Sequence, residues 1–355
     1  MAVQVKRTAA IIVGHVDNRT QPDSNLVKTI TPTSANAVMH DDSLDAKQWQ
    51  RYIEQEIGFV LPDVQLQWLI NAIDHTAMSR GLTAKKLWYQ LPKNDELRQQ
   101  LLDKVLIHES RFFRHKPSID FVTECALQHQ HQRLQMTATA VERPDSVEKA
   151  HHFEHANDAN CHNDGLFRIW SVGCASGQET WSIAMSLASK LLTDFAILGT
   201  DVSEQALKKA TLAQYGKRQQ SLIPQSCQPF IYPLPANKTN DESATFETTN
   251  VEPSTTTTKQ HWQVAPHLQQ YVSFALHNII EQQPPTAHLQ QVIICQNMLL
   301  YFRKFDQRDI LARLSEQCAV GGYIILAPGE ALFWRPANMR RIAHPQVNVW
   351  QKIKT

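Results

Sequence analysis

The sequence has no run of about 18 apolar residues, so nothing in it reads as a membrane-spanning helix. Its best N-terminal apolar stretch, Ala9 to Val13 behind Lys6 and Arg7, is too short for a secretory signal core, and His15 and Asp17 follow at once. Cysteine is sparse and scattered. Cys125, Cys161, Cys174, Cys227, Cys295 and Cys318 form no CxxC pair, which favours reduced thiols over a disulfide framework and makes the cytoplasm the expected location. An excess of one charge is also missing. Lys and Arg total 35 against 34 Asp and Glu, which argues against a dedicated nucleic-acid or anionic-membrane binder. With only 11 Gly and 17 Pro, collagen-like and Gly/Pro low-complexity classes are excluded.

What is present suggests two domains with polar extras, since 355 residues exceed the ~150 typical of one domain. Residues 1–43 are polar and mixed and read as a disordered lead-in. From Leu44 the pattern turns helical. Trp49, Tyr52, Ile53 and Ile57 form one stripe, Val64, Trp68, Leu69, Ala72 and Ile73 a second, and Leu97, Leu101, Leu102, Val105 and Leu106 a third. Gly58 and Gly81 stand where helices could stop. Residues 44–127 are therefore expected to form a small helical domain. Residues 128–165 are rich in Gln, His, Asn and Asp and read as a polar linker. Their His151, His152, His155, Cys161 and His162 match no closed zinc spacing, and no metal site is expected.

Residues 166–355 alternate strand and helix. Strands are expected at Phe167–Val172, Phe195–Thr200, Val272–Ala275, Val292–Cys295 and Tyr323–Ala327, with an edge strand at Val347–Ile353. Helices are expected at Thr180–Leu192, at Ser203–Gln214 with Ser203 as N-cap, and at Phe305–Cys318, stopped by Gly321-Gly322. This is an α/β pattern with a mostly parallel, doubly covered sheet, interrupted by a Thr-rich low-complexity insertion at 235–259. A fragment starting near residue 164 is expected to keep its own core.

The sharpest local signal is the run from Arg168 to Glu179, in which a strand enters a glycine turn and a helix follows. Gly173 permits the tight turn, and Gly177 is expected to let a ligand approach the backbone. The next strand ends at Gly199-Thr200-Asp201, where an acidic residue can accept hydrogen bonds from ribose hydroxyls. The pair points to an adenosine-type cofactor without separating a dinucleotide from S-adenosylmethionine. A full GxGxxG and a Walker lysine are both absent, which weakens nicotinamide and phosphate-cradling readings.

Four segments, in order, resemble the CheR family of chemoreceptor glutamate methyltransferases. His108-Glu109-Ser110-Arg111-Phe112-Phe113-Arg114 is similar to the family's N-E-T-x-F-F-R. Arg168 to Ile183, Ile197 to Tyr215, and Val292 to Phe302 are similar to its glycine turn, its T-D-I-D region and its R-N-V-L-I-Y-F run. The resemblance implies a Rossmann-like S-adenosylmethionine methyltransferase fold with a small all-α N-terminal domain. It implies S-adenosylmethionine as cofactor and a methyl-accepting receptor as substrate, met on the cytoplasmic part of a membrane protein without insertion. It places His108, Ser110, Arg114, Glu179, Asp201, Asn278, Ile279, Gln296 and Asn297 against the cofactor. It names no catalytic base, because a glutamate acceptor is already ionised at neutral pH. The chain departs from the family at His108, Gln178, Gln296 and the run Ala327 to Leu332, which suggests a divergent branch such as the type IV pilus (PilK-like) methyltransferases. The insertion 235–259 lies where the family has a small antiparallel subdomain. The alternatives are a methyltransferase of this fold with another acceptor, and a cofactor-binding signalling module without turnover.

Overall fold

The computed structural model describes residues 45–106, 110–141, 165–234 and 261–354. The lead-in 1–43, His108, the histidine-rich stretch around His151–His162 and the insertion 235–259 lie outside the described residues.

Four helices come first. α1 (Ala46–Ile57) is capped by Asp45 and ends at Gly58, whose φ of 77° is the left-handed stop expected there. α2 is Leu66–Ser79, α3 is Ala84–Gln90 and α4 is Asp95–Val105. Their apolar stripes meet in one core containing Trp49, Ile53, Leu69, Leu87, Leu101 and Val105. The second stripe is only partly inward. Val64 precedes α2 in a short 3-10 turn and is 90% exposed, because that turn breaks the helical phase before Leu66.

α5 (Lys116–Val141) corrects the expected domain limit. Its first half packs Ile119, Val122, Cys125 and Ala126 into the core of the sheet. Its second half enters the segment read as a linker. Gln128, Gln130, Gln132 and Leu134 are good helix formers with no apolar stripe to announce them. The helix thus continues on propensity, with Arg133 reaching Asp194 at 3.2 Å.

β1 (Phe167–Val172), α6 (Gln178–Ala188), β2 (Phe195–Asp201) and α7 (Glu204–Leu212) follow the expected alternation, and the Ser203 hydroxyl accepts from the Ala206 amide as N-cap. β6 is Val272–Leu276, β7 Gln290–Cys295, α8 Lys304–Gln317, β8 Cys318–Leu326, β9 Met339–Ile342 and β10 Asn348–Lys352. The sheet order is β6-β2-β1-β7-β8-β10-β9. β6, β2, β1, β7 and β8 run parallel, while β10 is antiparallel to both β8 and β9.

Two expectations change here. The C-terminal strand is interior, because β9 covers its outer edge. Gly321-Gly322 do not stop α8. The chain passes directly from Gln317 into β8, and the two glycines lie in a bulge between the pairs Gln290–Cys318 and Val292–Tyr323. A Cβ on Gly322 would meet the Gln291 carbonyl at 2.8 Å, so the bulge itself needs glycine.

β3 (Gln214–Gly216), β4 (Ile231–Pro233) and β5 (His261–Val264) form a separate antiparallel sheet in the order β3-β5-β4. The small subdomain is therefore present, and the low-complexity residues fall in the sequence between β4 and β5. Its Tyr215 and Trp262 pack on Phe112, with ring centroids at 4.8 and 5.1 Å. Helical and sheet elements together belong to one compact unit. A fragment from residue 164 would lack Phe112 and the buried half of α5, which share one core with the sheet.

Candidate active site

β1 is flanked by β2, which follows it, and by β7, which comes much later, so the strand order reverses there. Clefts at such points, beyond the carboxyl ends of parallel strands, are where α/β sheets bind ligands. A cavity of about 1270 Å³, mouth included, opens at that place. Its floor is the turn after β1, the end of β2 and the loops after β6 and β7. Its roof is Ile57, Phe59, Leu106 and the segment from Ser110 to Ile119.

The floor is built by backbone geometry. Gly173 has φ +66° and Ala175 φ +48°, so the turn passes twice through the left-handed region. Asp201 holds it there: one carboxylate oxygen accepts from the Ala175 amide at 2.8 Å, and the other from the Ser203 amide at 2.9 Å. Gly177 serves another purpose than ligand approach. It does not line the cavity, and a Cβ there would strike Ala210 Cβ at 2.8 Å, so it is needed for α6 to sit against α7.

Glu179 stands in the first turn of α6 and accepts from the Ser171 hydroxyl at 2.8 Å. Burial pushes its carboxyl up to about 7. The Ser171 bond and the charge of Arg114 partly offset that, and Glu330 adds to it. Arg114 lines the same cavity, brought there by a chain reversal in which Phe113 has φ +51° and donates its amide to Ser182 at 3.0 Å.

Of the nine residues expected at the cofactor, Ser110, Arg114, Glu179, Asp201, Asn278, Ile279, Gln296 and Asn297 line this one cavity; His108 lies outside the described residues. Asn278, Gln296 and Asn297, like Asp201, also have structural duties. Asn278 donates its amide to the Glu56 carbonyl at 2.7 Å. Gln296 donates to the Ser118 hydroxyl at 3.0 Å and the Leu326 carbonyl at 3.2 Å, which leaves only its side-chain carbonyl for a ligand. Asn297 takes φ +59° at the end of β7. Behind it Glu330 accepts from the Ala327 amide at 3.0 Å; burial raises its pKa, and the backbone amides of Asn297, Leu300 and Leu299 work against that rise.

Sequence reasoning missed His115 and His277. His115 bonds Ser118 at 2.7 Å through Nδ1, both rings line the cavity, and burial lowers both pKa values. No spacing signal marks them, because the segments that carry them meet only in the fold. Tyr301 lines the cavity and stacks on Phe59 with centroids at 5.1 Å. Two carboxylates, Glu179 and Asp201, and the Arg114 guanidinium line the cavity, a set that suits a ligand carrying hydroxyls, a positive charge and a carboxylate.

The family model described as CheR methyltransferase, SAM binding domain, matches residues 146–240 and 236–347. Chemotaxis protein methyltransferase Cher2 of Pseudomonas putida is 21% identical over 320 residues, covering 86% of this chain and 96% of its own length. The chemotaxis protein methyltransferase of Escherichia coli is 27% identical over 46% of this chain and 52% of its own. The probable biofilm formation methyltransferase WspC of P. putida is 22% identical over 85% of this chain and 60% of its own. The chain thus spans about half the length of the E. coli relative. The family match covers more than half of this chain and takes in the glycine turn, both acidic residues and the turn after β7, so the chain belongs to the CheR methyltransferase family, of which it carries the S-adenosylmethionine-binding domain.

Proposed function

We propose that the protein transfers the methyl group of S-adenosylmethionine to glutamate side chains of chemoreceptor-like proteins, in a chemotaxis or type IV pilus pathway in the cytoplasm. The observation that carries the reading is that Glu179 and Asp201, within the family match, line one cavity together with Arg114, which lies before it in the chain. The cofactor, when bound, supplies an activated methyl group on a sulfonium that leaves as a neutral thioether. Asp201 orients it through the ribose, Glu179 through its amino group and Arg114 through its carboxylate.

The acceptor carboxylate is ionised at neutral pH, so no residue need take a proton and none is assigned as a base. The residues contribute by aligning oxygen, carbon and sulfur, and such positioning is worth roughly 7–11 kcal/mol. The apolar roof of Ile57, Phe59 and Leu106 keeps water from that line.

The test is transfer of labelled methyl from S-adenosylmethionine to receptor-containing membranes, with the product checked for release by mild base, as a carboxyl methyl ester requires. Arg114→Ala should abolish transfer while leaving the thermal melt near that of the parent. Label that enters only a small-molecule fraction would favour another acceptor. Near-normal turnover by Arg114→Ala would remove it from the site.

A further inference from the structure

Asp201 is the last residue of β2, paired there with Leu276 of β6, and the chain turns directly after it. Its two oxygens accept from the Ala175 and Ser203 amides, so any rotation of residues 201–203 would turn the carboxylate within the cavity. The next two residues are held from outside the sheet. The Gln99 side-chain amide donates to the Val202 carbonyl at 2.8 Å. The Ser203 hydroxyl donates to Asp103 Oδ1 at 2.5 Å, while accepting from the Ala206 amide at 3.0 Å. A hydroxyl has one proton, so Ser203 needs an acceptor there once it caps α7. Ser203 is fully buried, which leaves no solvent route to replace that acceptor. Gln99 also donates to Asp103 at 3.3 Å, tying the two into one fork. They stand four residues apart on α4, away from Leu97, Leu101 and Leu102, which face the helical core. Val202 itself lies between that core and the cavity.

We propose that Gln99 and Asp103 are positioning residues for Asp201: helix α4 grips the turn after β2 and thereby sets how Asp201 meets the cofactor's ribose. The inference rests on the cofactor placement proposed above, not on the identity of the acceptor. Its consequence is that the N-terminal helices contribute to cofactor affinity through a residue that they do not contain.

The test is calorimetric titration of the full chain with S-adenosylhomocysteine, which needs no acceptor. Asp103→Ala should weaken binding roughly tenfold, and Asp103→Asn, which keeps an acceptor oxygen for Ser203, should restore most of it. In an Asp201→Asn background, Asp103→Ala should weaken binding by less than about twofold, because residues acting through one group are not additive. A thermal melt checks that each variant is folded. Unchanged affinity in Asp103→Ala, or full additivity with Asp201→Asn, would overturn the positioning role and leave the cofactor reading standing. A parent protein that binds no S-adenosylhomocysteine would overturn both. Should Asp103→Ala fail to fold, Gln99→Ala makes the same comparison from the Val202 side.

Discussion

Asn278, in the loop after β6, donates its side-chain amide to the carbonyl of Glu56 in the last turn of α1, 222 residues earlier, at 2.7 Å. One of the carbonyls that every helix end leaves unpaired is thus satisfied by the floor of the cavity. Next to this bond, the Val60 amide donates to the Tyr301 carbonyl at 2.8 Å, and Arg303 pairs with Glu54. The roof is thus fastened to the floor loops after β6 and β7.

Asn278→Ala should therefore act on folding before it acts on binding. Losing the donor leaves a partly buried carbonyl unpaired, at a cost of roughly 1–3 kcal/mol. The ligand-free melting temperature should drop by a few degrees. An unchanged ligand-free melt combined with weaker S-adenosylhomocysteine binding would show that Asn278 serves the ligand alone.

Glu179 should make cofactor affinity depend on pH. Its carboxyl is pushed up to about 7, so half of the ligand-free protein carries it neutral near that pH. A cationic ligand requires the ionised form. Affinity for S-adenosylmethionine should rise as pH goes from 6 to 8, approaching a tenfold change per unit below about pH 7, with proton release on binding. Without ligand the sign reverses. A raised carboxyl pKa contributes stability that is fully present below its unfolded value of about 4.5 and is lost as pH rises through about 7. Glu179→Gln should flatten the affinity profile and raise the melting temperature at pH 8. Calorimetry across pH in two buffers of different ionisation enthalpy reads the proton count.

The parts of this fold that could be read in the sequence are those specified locally. β1, β2 and α7 carry their own periodicity, and Ser203 and Gly58 carry their own caps. β9 is the short run Met339–Ile342 with two exposed arginines and no strand-like alternation, so β10 reads as an edge strand although β9 pairs with it, Val349 opposite Ile342. The distal half of α5 has no apolar stripe, so its helix could not be told from a polar linker. At the site, residues bearing charge in a family-like spacing were legible, while the grip of Gln99 and Asp103 was not. A Gln and an Asp four apart on a helix look like an ordinary solvated pair until the turn after β2 is placed beside them.

Gly177 offers a test of a backbone constraint. With φ +85° and Ala210 Cβ at 2.8 Å from any added Cβ, Gly177→Ala meets both strain and a clash. It should destabilise by at least about 1–3 kcal/mol. Adding Ala210→Gly should recover the steric part and leave the dihedral part. Denaturant unfolding measures both. Full stability in the single variant would mean that the two helices can separate without cost.

The last prediction concerns where the chain can be cut. Phe112, Ile119, Val122, Cys125 and Ala126 are all at most 8% exposed and belong to the same core as Ile169, Ile183, Phe195 and Ile294 of the sheet layer. The Thr123 and Ser186 hydroxyls bond at 2.9 Å across the α5–α6 contact, which adds a polar pair that deletion would strand. Burying a large apolar side chain contributes about 1.5–3 kcal/mol. Phe112, Ile119 and Val122 alone thus represent a sum comparable with the 5–15 kcal/mol by which whole domains are stable. A fragment starting at residue 164 should be expanded and aggregation-prone, with weak near-ultraviolet circular dichroism. One starting at residue 110 restores α5 and Arg114, should melt cooperatively, and should still bind S-adenosylhomocysteine less tightly than the full chain, because α4 and its hold on the turn after Asp201 are missing. Cooperative melting of the shorter fragment would show that α5 only covers a core that the sheet completes by itself.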